Sequence, residues 1–338
     1  VNDRKCLYVN MNNFYFQGRG IADFAREFYN EGGRVLLIDQ VFKHPEWSPE
    51  LRKCYDMYPN LKIVFTGSSV MRLKEENPEL NNIVKSYNLR GFSFREFLNL
   101  KTGNHFRPYT LDEILRNHER IVKDILPKVS PLSFFQDYLH HGFYPFFQEQ
   151  RNYSENLLKT MNMVTEVDIL LIKQIELKYL TKIKKLFYLL ALEGNKAPNV
   201  SWLAQEIETS RATVMNYIKY LADARLTNMI YPKGCEFPKK PSKVMMHNTN
   251  LMYAIYPIAV KRQDVMETFF VNTMWKDHNV NQGAKDDFYW VDGSLKFKIC
   301  NANDFEKKKF RQDTIYARYN TEVGKDNLIP LWLLGFLY

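Results

Sequence analysis

The 338-residue sequence has few cysteines and no long apolar run. The four cysteines stand singly with no CxxC pair, at Cys6, Cys54, Cys235 and Cys300. This spacing predicts neither a zinc site nor a disulfide framework. No apolar stretch approaches the ~18 residues of a membrane-spanning helix, and no basic-then-apolar leader opens the chain. These absences predict a soluble cytoplasmic protein without a membrane partner.

The charge and length of the chain indicate what kind of protein it is and which partners it favours. The chain carries a net charge of +9, with 45% hydrophobic and 25% charged residues, which is the composition of an ordinary globular protein. The positive excess favours anionic partners such as nucleic acid, nucleotide phosphates or an acidic protein surface. The length predicts two or three domains.

The first third of the chain alternates strand and helix patterns. "KCLYVNMNN", "RVLLIDQV" and "LKIVFTGSS" are typical of strands, whereas "IADFAREFYNE" and "SPELRKCYDMYP" are typical of helices. We expect Ser48 to cap the second helix with Pro49 at its first position. A further strand followed by a helix is expected in "SYNLRGFSFREFL". Strands and helices that alternate at this spacing predict an α/β domain with a parallel sheet.

The rest of the chain divides into three further regions. After an α/β domain over residues 1–109, residues 110–178 are helical, beginning with a capping box formed by Thr110 and Glu113. Residues 179–235 read helix, short helix, turn, helix and strand, which is the order of a winged helix. Residues 236–338 mix strands and helices. The sequence therefore predicts four regions.

Polar residues follow two neighbouring strands of the α/β domain. The apolar run Val35–Ile38 leads directly into Asp39 and Gln40. Such a strand end can deliver a carboxylate to a magnesium ion; it can also be a buried strand that happens to end in an acid. The next strand favours the first alternative, because small hydroxyl residues follow it where a polar group can sense a terminal phosphate. These residues are Thr66, Ser68 and Ser69.

These motifs, in this order, resemble a known family. "LLIDQV", "HPEWSPELRKCYD", "IVFTGSS" and "LRGFSFREFL", followed by a winged helix and a strand-rich tail, look like AAA-type P-loop ATPases of bacteria and archaea that carry a C-terminal domain of unknown function. The resemblance implies ATP and Mg²⁺ as cofactors, with Asp39 as the magnesium aspartate, Gln40 at the position of the catalytic glutamate and Thr66–Ser69 as the phosphate-sensing strand end. It also implies a phosphate-binding loop upstream of "KCLYVNM", so we expect a preceding segment to be missing from this chain, and it implies a restriction-endonuclease-like core over residues 236–338.

The sequence departs from the family pattern at the two sites of nucleotide chemistry. No GxxxxGK[ST] stretch occurs in the 338 residues, so the backbone cradle and the lysine that bind phosphates are not among them. Gln40 can orient a water molecule but cannot accept its proton, and loss of a general base typically costs ~100- to 10,000-fold in rate. Hydrolysis is therefore expected to be weak or lost.

The nuclease-like region departs from its pattern too. A metal-dependent nuclease needs an acid on one strand and an acid-x-lysine on the next. Asp286 or Asp287 could supply the first acid, with Glu267 on the preceding helix, but Lys298 stands where the second acid belongs and Cys300 where the lysine belongs. A lysine there would repel the metal, so a degenerate nuclease is expected.

The winged-helix region offers a surface for DNA. Arg211, Asn216 and Lys219 lie on the outward side of its second helix and suit phosphate and base-edge contacts. Residues 176–246 contain twelve Lys and Arg against six Asp and Glu. The alternative is that this region only packs its neighbours together.

We therefore expect an AAA-type ATP-binding protein that couples its nucleotide state to a DNA-directed module. The rival is a non-catalytic DNA-binding or protein-interaction scaffold that keeps the ATPase fold, and a metal-dependent nuclease is a minor alternative. Duplex DNA, a protein partner or further copies of the chain are the expected partners. Arg90, Arg95 and Arg211 are candidates for contacting phosphate across a subunit interface.

Overall fold

A computed structural model describes residues 5–71, 77–149, 152–283, 288–301 and 311–338. The chain divides into two compact units. Unit 1 comprises Val1–Leu89 and Asp168–Ile175, and unit 2 comprises Arg90–Val167 and Glu176–Tyr338. The segment Asp168–Ile175 therefore belongs to unit 1 although both of its flanking segments belong to unit 2.

Unit 1 is built on a parallel sheet of three strands in the order β1-β2-β3. The strands are β1 (Cys6–Asn10), β2 (Val35–Asp39) and β3 (Lys62–Phe65). Asn10 lies directly opposite Asp39, and Phe65 lies opposite Ile38. Because the strands are parallel and in register, all three carboxyl ends meet at one edge of the sheet. The parallel sheet predicted for the first third of the chain is confirmed.

Helices cover this sheet and close its core. They are α1 (Ile21–Asn30) and α2 (Trp47–Met57), with short 3₁₀ turns at Phe14–Phe16, Val41–Lys43 and Pro78–Leu80. Leu36 and Ile38 of β2 are fully buried, as are Ile21 and Ala25 of α1. Cys54 of α2 is buried in this core, and burial raises the pKa of its thiol to about 12.

Unit 2 begins with a helical region rich in aromatic side chains. Its first helix carries two phenylalanines, Phe94 and Phe97, that are fully buried and whose rings both contact Tyr138. The helices are α3 (Phe94–Thr102), α4 (Leu111–Ile125), α5 (Pro131–Asp137) and α6 (Tyr153–Met163), with π-helical turns at Tyr138–Gly142 and Val164–Ile169 and a 3₁₀ turn at Pro145–Gln148. The predicted capping box at the start of α4 is confirmed, since Thr110 and Glu113 bond to each other's backbone.

The next part of unit 2 contains a helix cluster and an antiparallel hairpin. After the short α7 (Leu170–Ile172) of unit 1 come a 3₁₀ turn at Leu177–Tyr179, α8 (Leu180–Glu193), α9 (Val200–Glu206) and α10 (Arg211–Asp223), followed by β4 (Thr227–Ile230) and β5 (Lys243–Met246). β4 and β5 pair antiparallel, and Lys196 forms a bridge to Val244 of β5. This is the predicted order of elements; the name winged helix remains an interpretation.

A mixed five-stranded sheet and buried helices complete unit 2. The sheet order is β10-β9-β8-β7-β6, and β8, β9 and β10 run parallel whereas β6, β7 and β8 run antiparallel. The elements are α11 (Thr249–Ile255), a 3₁₀ turn (Pro257–Ala259), α12 (Arg262–Met274), β6 (Val280–Gln282), β7 (Tyr289–Val291), β8 (Leu295–Cys300), β9 (Ile315–Arg318), β10 (Leu328–Pro330) and a 3₁₀ helix (Leu331–Phe336).

Two local predictions in the first hundred residues are wrong. The helix expected to begin at Pro49, with Ser48 as its cap, begins two residues earlier at Trp47, and Glu46 takes the cap position. The buried Ser48 hydroxyl donates to Glu79 instead of capping the helix. The strand expected before α3 is irregular backbone, whose Phe92 N–H donates to Phe143 O at 2.8 Å.

Within the described ranges, no helix combines the length and the apolar character that a bilayer crossing requires.

Candidate functional site

The Asp39 carboxylate lies at the carboxyl edge of the unit 1 sheet, where side chains from β1 and from the residue after β3 contact it. Tyr8 Oη donates to Asp39 Oδ2 at 2.9 Å, and Asn10 Nδ2 donates to the same oxygen at 2.8 Å. The Thr66 hydroxyl, one residue beyond β3, donates to Oδ1. β1 and β2 bring Asn10 opposite Asp39 by their register, so the parallel pairing itself assembles this cluster.

Gln40 follows in the left-handed backbone conformation, with φ 57° and ψ 49°. For a residue other than glycine this conformation costs on the order of 1–3 kcal/mol, so neighbouring contacts must hold it. Thr66 does so from both sides, because its Oγ1 accepts from Gln40 N at 3.0 Å and its carbonyl accepts from Val41 N at 3.0 Å. The Gln40 side-chain oxygen accepts from Asn12 Nδ2 at 2.9 Å. Both the backbone and the amide of Gln40 are thus fixed at the edge of the sheet.

The hydroxyl residues after β3 divide between two partners. Thr66 bonds to Asp39, whereas Ser68 Oγ donates to Asp168 Oδ2 at 2.6 Å, and Ser69 is exposed. Burial raises the pKa of the Asp168 carboxyl, while the Ser68 hydrogen bond and the positive charge of Lys43 lower it in part. The structure therefore places a second carboxylate of unit 1, from the segment Asp168–Ile175, in contact with the loop that follows β3.

The oxygen atoms at the Asp39 site suit the magnesium ion of a Mg²⁺–nucleotide complex. Mg²⁺ takes hard oxygen ligands and is usually held by one or two carboxylates together with substrate phosphates; here the oxygens come from Asp39 and Thr66, because the Asn10 amide donates to Asp39 through its nitrogen and its oxygen accepts from Asn12 N. The residues that the structure describes contain no group of three His, Cys, Asp or Glu side chains that could hold a metal by themselves. A single carboxylate such as Asp39 is suited to a Mg²⁺ ion whose other ligands include phosphate oxygens of the nucleotide. The GxxxxGK[ST] cradle for those phosphates is not among the 338 residues.

The three residues predicted for DNA contact have different surroundings on α10. Ser210 caps the helix by accepting from Thr213 N at 3.1 Å, and Arg211 and Asn216 are exposed. Lys219 forms an ion pair with Asp223 one turn later, and its side chain is 27% exposed. Two of the three predicted residues therefore face solvent, and the third is partly neutralised.

Two of the three arginines considered for a subunit interface are used inside unit 2. Arg90 donates to the carbonyls of Asn272 and Trp275 at the end of α12, and Arg95 donates to Tyr338 O at 2.8 Å and Phe106 O at 3.1 Å. Both guanidinium groups hold chain segments together, which contradicts a role in reaching phosphate on another subunit.

The described residues considered for a nuclease site have separate partners, and Glu267 belongs to a buried cluster with Lys243 and Tyr289. Glu267 on α12 accepts from Lys243 Nζ at 2.9 Å and from Tyr289 Oη at 2.7 Å. Lys298 lies 5.4 Å from the centre of the Phe288 ring, and Cys300 is fully buried. Asp286 and Asp287 lie outside the described residues. Because a lysine neutralises Glu267, this carboxylate is not available to a metal ion.

Three residues of the candidate site escaped sequence reasoning. Tyr8 and Asn10 could have been found, since parallel strands present their carboxyl ends at one edge and "KCLYVNMNN" ends in polar residues. Asp168 had no such signal, because it lies 100 residues from Ser68 in the chain and only the tertiary fold brings it to the strand end.

Comparison with known proteins gives a family match for the part of the chain that contains this sheet. Residues 1–98 match the family model described as an AAA domain, so this part of the chain is similar to AAA domains. Residues 133–259 match a second family model, described as a domain of unknown function (DUF8612).

One curated relative is an uncharacterized protein of Methanocaldococcus jannaschii, MJ1637. It is 28% identical over an alignment of 248 residues, and the match covers 69% of this chain and 52% of that protein. The chain thus spans about half the length of this relative. No solved structure matches the chain.

Proposed function

We propose that the carboxyl edge of the unit 1 sheet binds Mg²⁺–ATP and that the protein hydrolyses it weakly or not at all. The observation that carries the proposal is the Asp39 carboxylate, held at the strand ends by Tyr8, Asn10 and Thr66 within an AAA-like domain. When bound, Mg²⁺ would neutralise charge on the phosphates. Asp39 would hold the ion, and Thr66, Ser68 and Ser69 would face the terminal phosphate.

Gln40 accounts for the weak hydrolysis. Its backbone and its amide are fixed by Thr66 and Asn12, so it can position a water molecule beside the phosphates. An amide has no basic site for the proton of that water. The protein would therefore keep a nucleotide bound and act through nucleotide occupancy more than through turnover.

Mg²⁺-dependent binding and turnover of ATP by the natural full-length protein test this proposal. Gln40→Glu should raise turnover at least about tenfold, because a glutamate keeps the oxygen that accepts from Asn12 and adds a proton acceptor. Gln40→Ala is the matched control and should give no rise. An unchanged rate in Gln40→Glu would show that position 40 does not activate water.

Failure of the full-length protein to bind ATP in the presence of Mg²⁺ would contradict the proposal as a whole. It would favour the rival hypothesis, a scaffold that keeps the ATPase fold without its chemistry.

As a second part of the proposal, nucleotide state is coupled to duplex DNA through α10. The exposed Arg211 and Asn216 and the twelve basic against six acidic residues of 176–246 support it. Duplex binding should weaken as salt rises, and Arg211→Ala should weaken it more than Lys219→Ala does, because Asp223 already pairs with Lys219. Duplex binding that is indifferent to both substitutions would support a packing role for this region. In place of duplex DNA, a protein partner or further copies of the chain are the alternative partners that we propose.

A further inference from the structure

A groove in unit 2 lies beside the loop that joins β4 to β5. It consists of two adjoining cavities of about 550 and 560 Å³ whose walls share Lys233 and Gly293. Tyr231 and Trp275 line the first cavity, and Trp290 lines the second. We call it the Lys233 groove. Each cavity is within the size range of about 300–1,000 Å³ that is usual for ligand sites in proteins.

Hydrogen bonds connect the walls of the Lys233 groove. Gln282 N on β6 donates to Tyr231 O at 2.9 Å, and Lys233 Nζ donates to Gly293 O at 3.4 Å. The turn after β7 is fixed in its own right, since Asp292 accepts from His278 Nδ1 at 2.7 Å and from Asn279 N at 2.9 Å. The groove is therefore formed by the fold itself and does not depend on a ligand to assemble it.

The side chains of the Lys233 groove suit an anionic ligand with flat rings. Indole and phenol rings stack on nucleic-acid bases whatever their sequence, and a lysine ammonium has three donors, so Lys233 can bind a phosphate beside its carbonyl contact. Lys239 and Lys240 are exposed on the same loop. The loop over residues 231–242 contains three lysines and one acidic residue, Glu236, and Asp292, which also lines the first cavity, accepts from His278. A neutral carbohydrate could use the rings but would gain nothing from this charge.

The order of these groups indicates a strand with several bases. Lys233 is common to both cavities, with Trp275 on the wall of one and Trp290 on the wall of the other. A polynucleotide strand repeats base, phosphate, base in the same order, whereas a single nucleotide fills one cavity. The bases of a duplex are paired and stacked on each other, so they are not free to enter.

We propose that the Lys233 groove binds single-stranded nucleic acid, with Lys233 on a phosphate and the two tryptophans beside successive bases. This site is distinct from the exposed face of α10, and it requires neither ATP nor Mg²⁺, so it can stand if the proposed nucleotide function fails.

Fluorescence anisotropy of labelled dT20 with the full chain tests the proposal. The wild type should bind dT20 with an affinity that falls as salt rises. Lys233→Gln should lower the slope of log K against log[salt] by about 0.7, the value for one phosphate contact on a single strand. Trp290→Ala should weaken binding about tenfold, and Trp290→Phe should retain most of the affinity because it keeps a ring for stacking.

The controls separate this groove from general charge and from other ligands. Lys123→Gln removes an exposed lysine from α4 of the same unit and should leave dT20 binding unchanged. Since Trp290→Ala alters β7, the surface variant Lys233→Gln decides the outcome if the tryptophan variant fails to fold. Three results would overturn the proposal: dT20 binding indifferent to Lys233→Gln, a duplex that binds more tightly through the groove than dT20 does, and dTMP that competes as well per nucleotide as the strand.

Discussion

At the scale of single residues, the groups around a carboxylate determine whether it can bind a cation, and Asp39 and Glu267 show the two cases. The three groups that donate to Asp39 are a phenol, an amide and a hydroxyl, and because all three are neutral they orient the carboxylate without neutralising its charge. Glu267 has the opposite surroundings, since a buried lysine neutralises it. A cation from solution is therefore expected at Asp39 and not at Glu267.

Asp168 should make the stability of unit 1 depend on pH. Burial raises the pKa of this carboxyl in the folded state, so the folded state holds its proton more tightly than the unfolded chain does. The stabilising contribution is therefore complete below the ordinary value of 3.8 and is lost as the pH rises through the raised pKa. Asp168→Asn removes the charge and should gain stability over the wild type at pH 8, with the gain shrinking toward pH 4.

Urea denaturation of unit 1 across this pH range measures the difference. Asp23→Asn, on the exposed face of α1, provides the control and should show no comparable trend. An advantage of Asp168→Asn that grows as the pH falls would mean that the buried carboxyl is stabilised as the anion.

At the scale of helices and strands, the sequence predicted secondary structure best where a single hydrophobic pattern dominates a segment. The run "LLID" is apolar enough to require burial, and Leu36 and Ile38 are fully buried, whereas no residue of "KIVF" is buried and Val64 is 49% exposed. The spacing of both runs around helices determines a parallel sheet. The capping box was predictable because its two residues, Thr110 and Glu113, are only three positions apart in the sequence. The start of α2 was not, since the choice between Glu46 and Ser48 depends on Glu79, which is distant in sequence.

The buried cluster of Lys243, Glu267 and Tyr289 joins β5, α12 and β7. Lys243 and Glu267 are 6% and 8% exposed, so loss of the lysine would leave a buried carboxylate without its partner. Lys243→Met should destabilise unit 2 by about 3–5 kcal/mol, as measured by chemical denaturation. Lys185→Met removes the exposed pair with Glu206 and should cost less than about 1 kcal/mol.

Replacing both charges tests the reason for this loss. The double variant Lys243→Met with Glu267→Met should be more stable than Lys243→Met alone, because no uncompensated charge remains. If the double variant is the less stable one, the loss comes from packing of the lysine stem and not from the orphaned carboxylate.

At the scale of the whole molecule, the chain forms two compact units where the sequence predicted four regions. The boundary near residue 89 is local and falls close to the end of the matched AAA domain at residue 98. The return of Asp168–Ile175 to unit 1 could not be predicted from patterns, because helical sequence lies on both sides of it and only long-range contacts assign it. The finer division of unit 2 into a connector, a winged helix and a nuclease-like region remains an interpretation.

The division into two units predicts two unfolding transitions. Leu36 and Phe270 are each fully buried, one in each unit. Leu36→Ala should shift one transition by about 2–5 kcal/mol and Phe270→Ala the other by about 3–5 kcal/mol, as followed by calorimetry. If both substitutions shift one common transition by the same amount, the chain unfolds as a single cooperative body.

The most direct test of the account is a titration of the natural full-length protein with a fluorescent ATP analogue, with and without Mg²⁺, in the wild type and in Asp39→Asn. We expect Mg²⁺ to strengthen binding to the wild type and to have little effect on Asp39→Asn, because an amide at position 39 cannot supply the negative charge that holds the ion. Asp23→Asn should behave as the wild type does. Equal gains from Mg²⁺ in the wild type and in Asp39→Asn would contradict the assignment of Asp39 to the metal of a nucleotide.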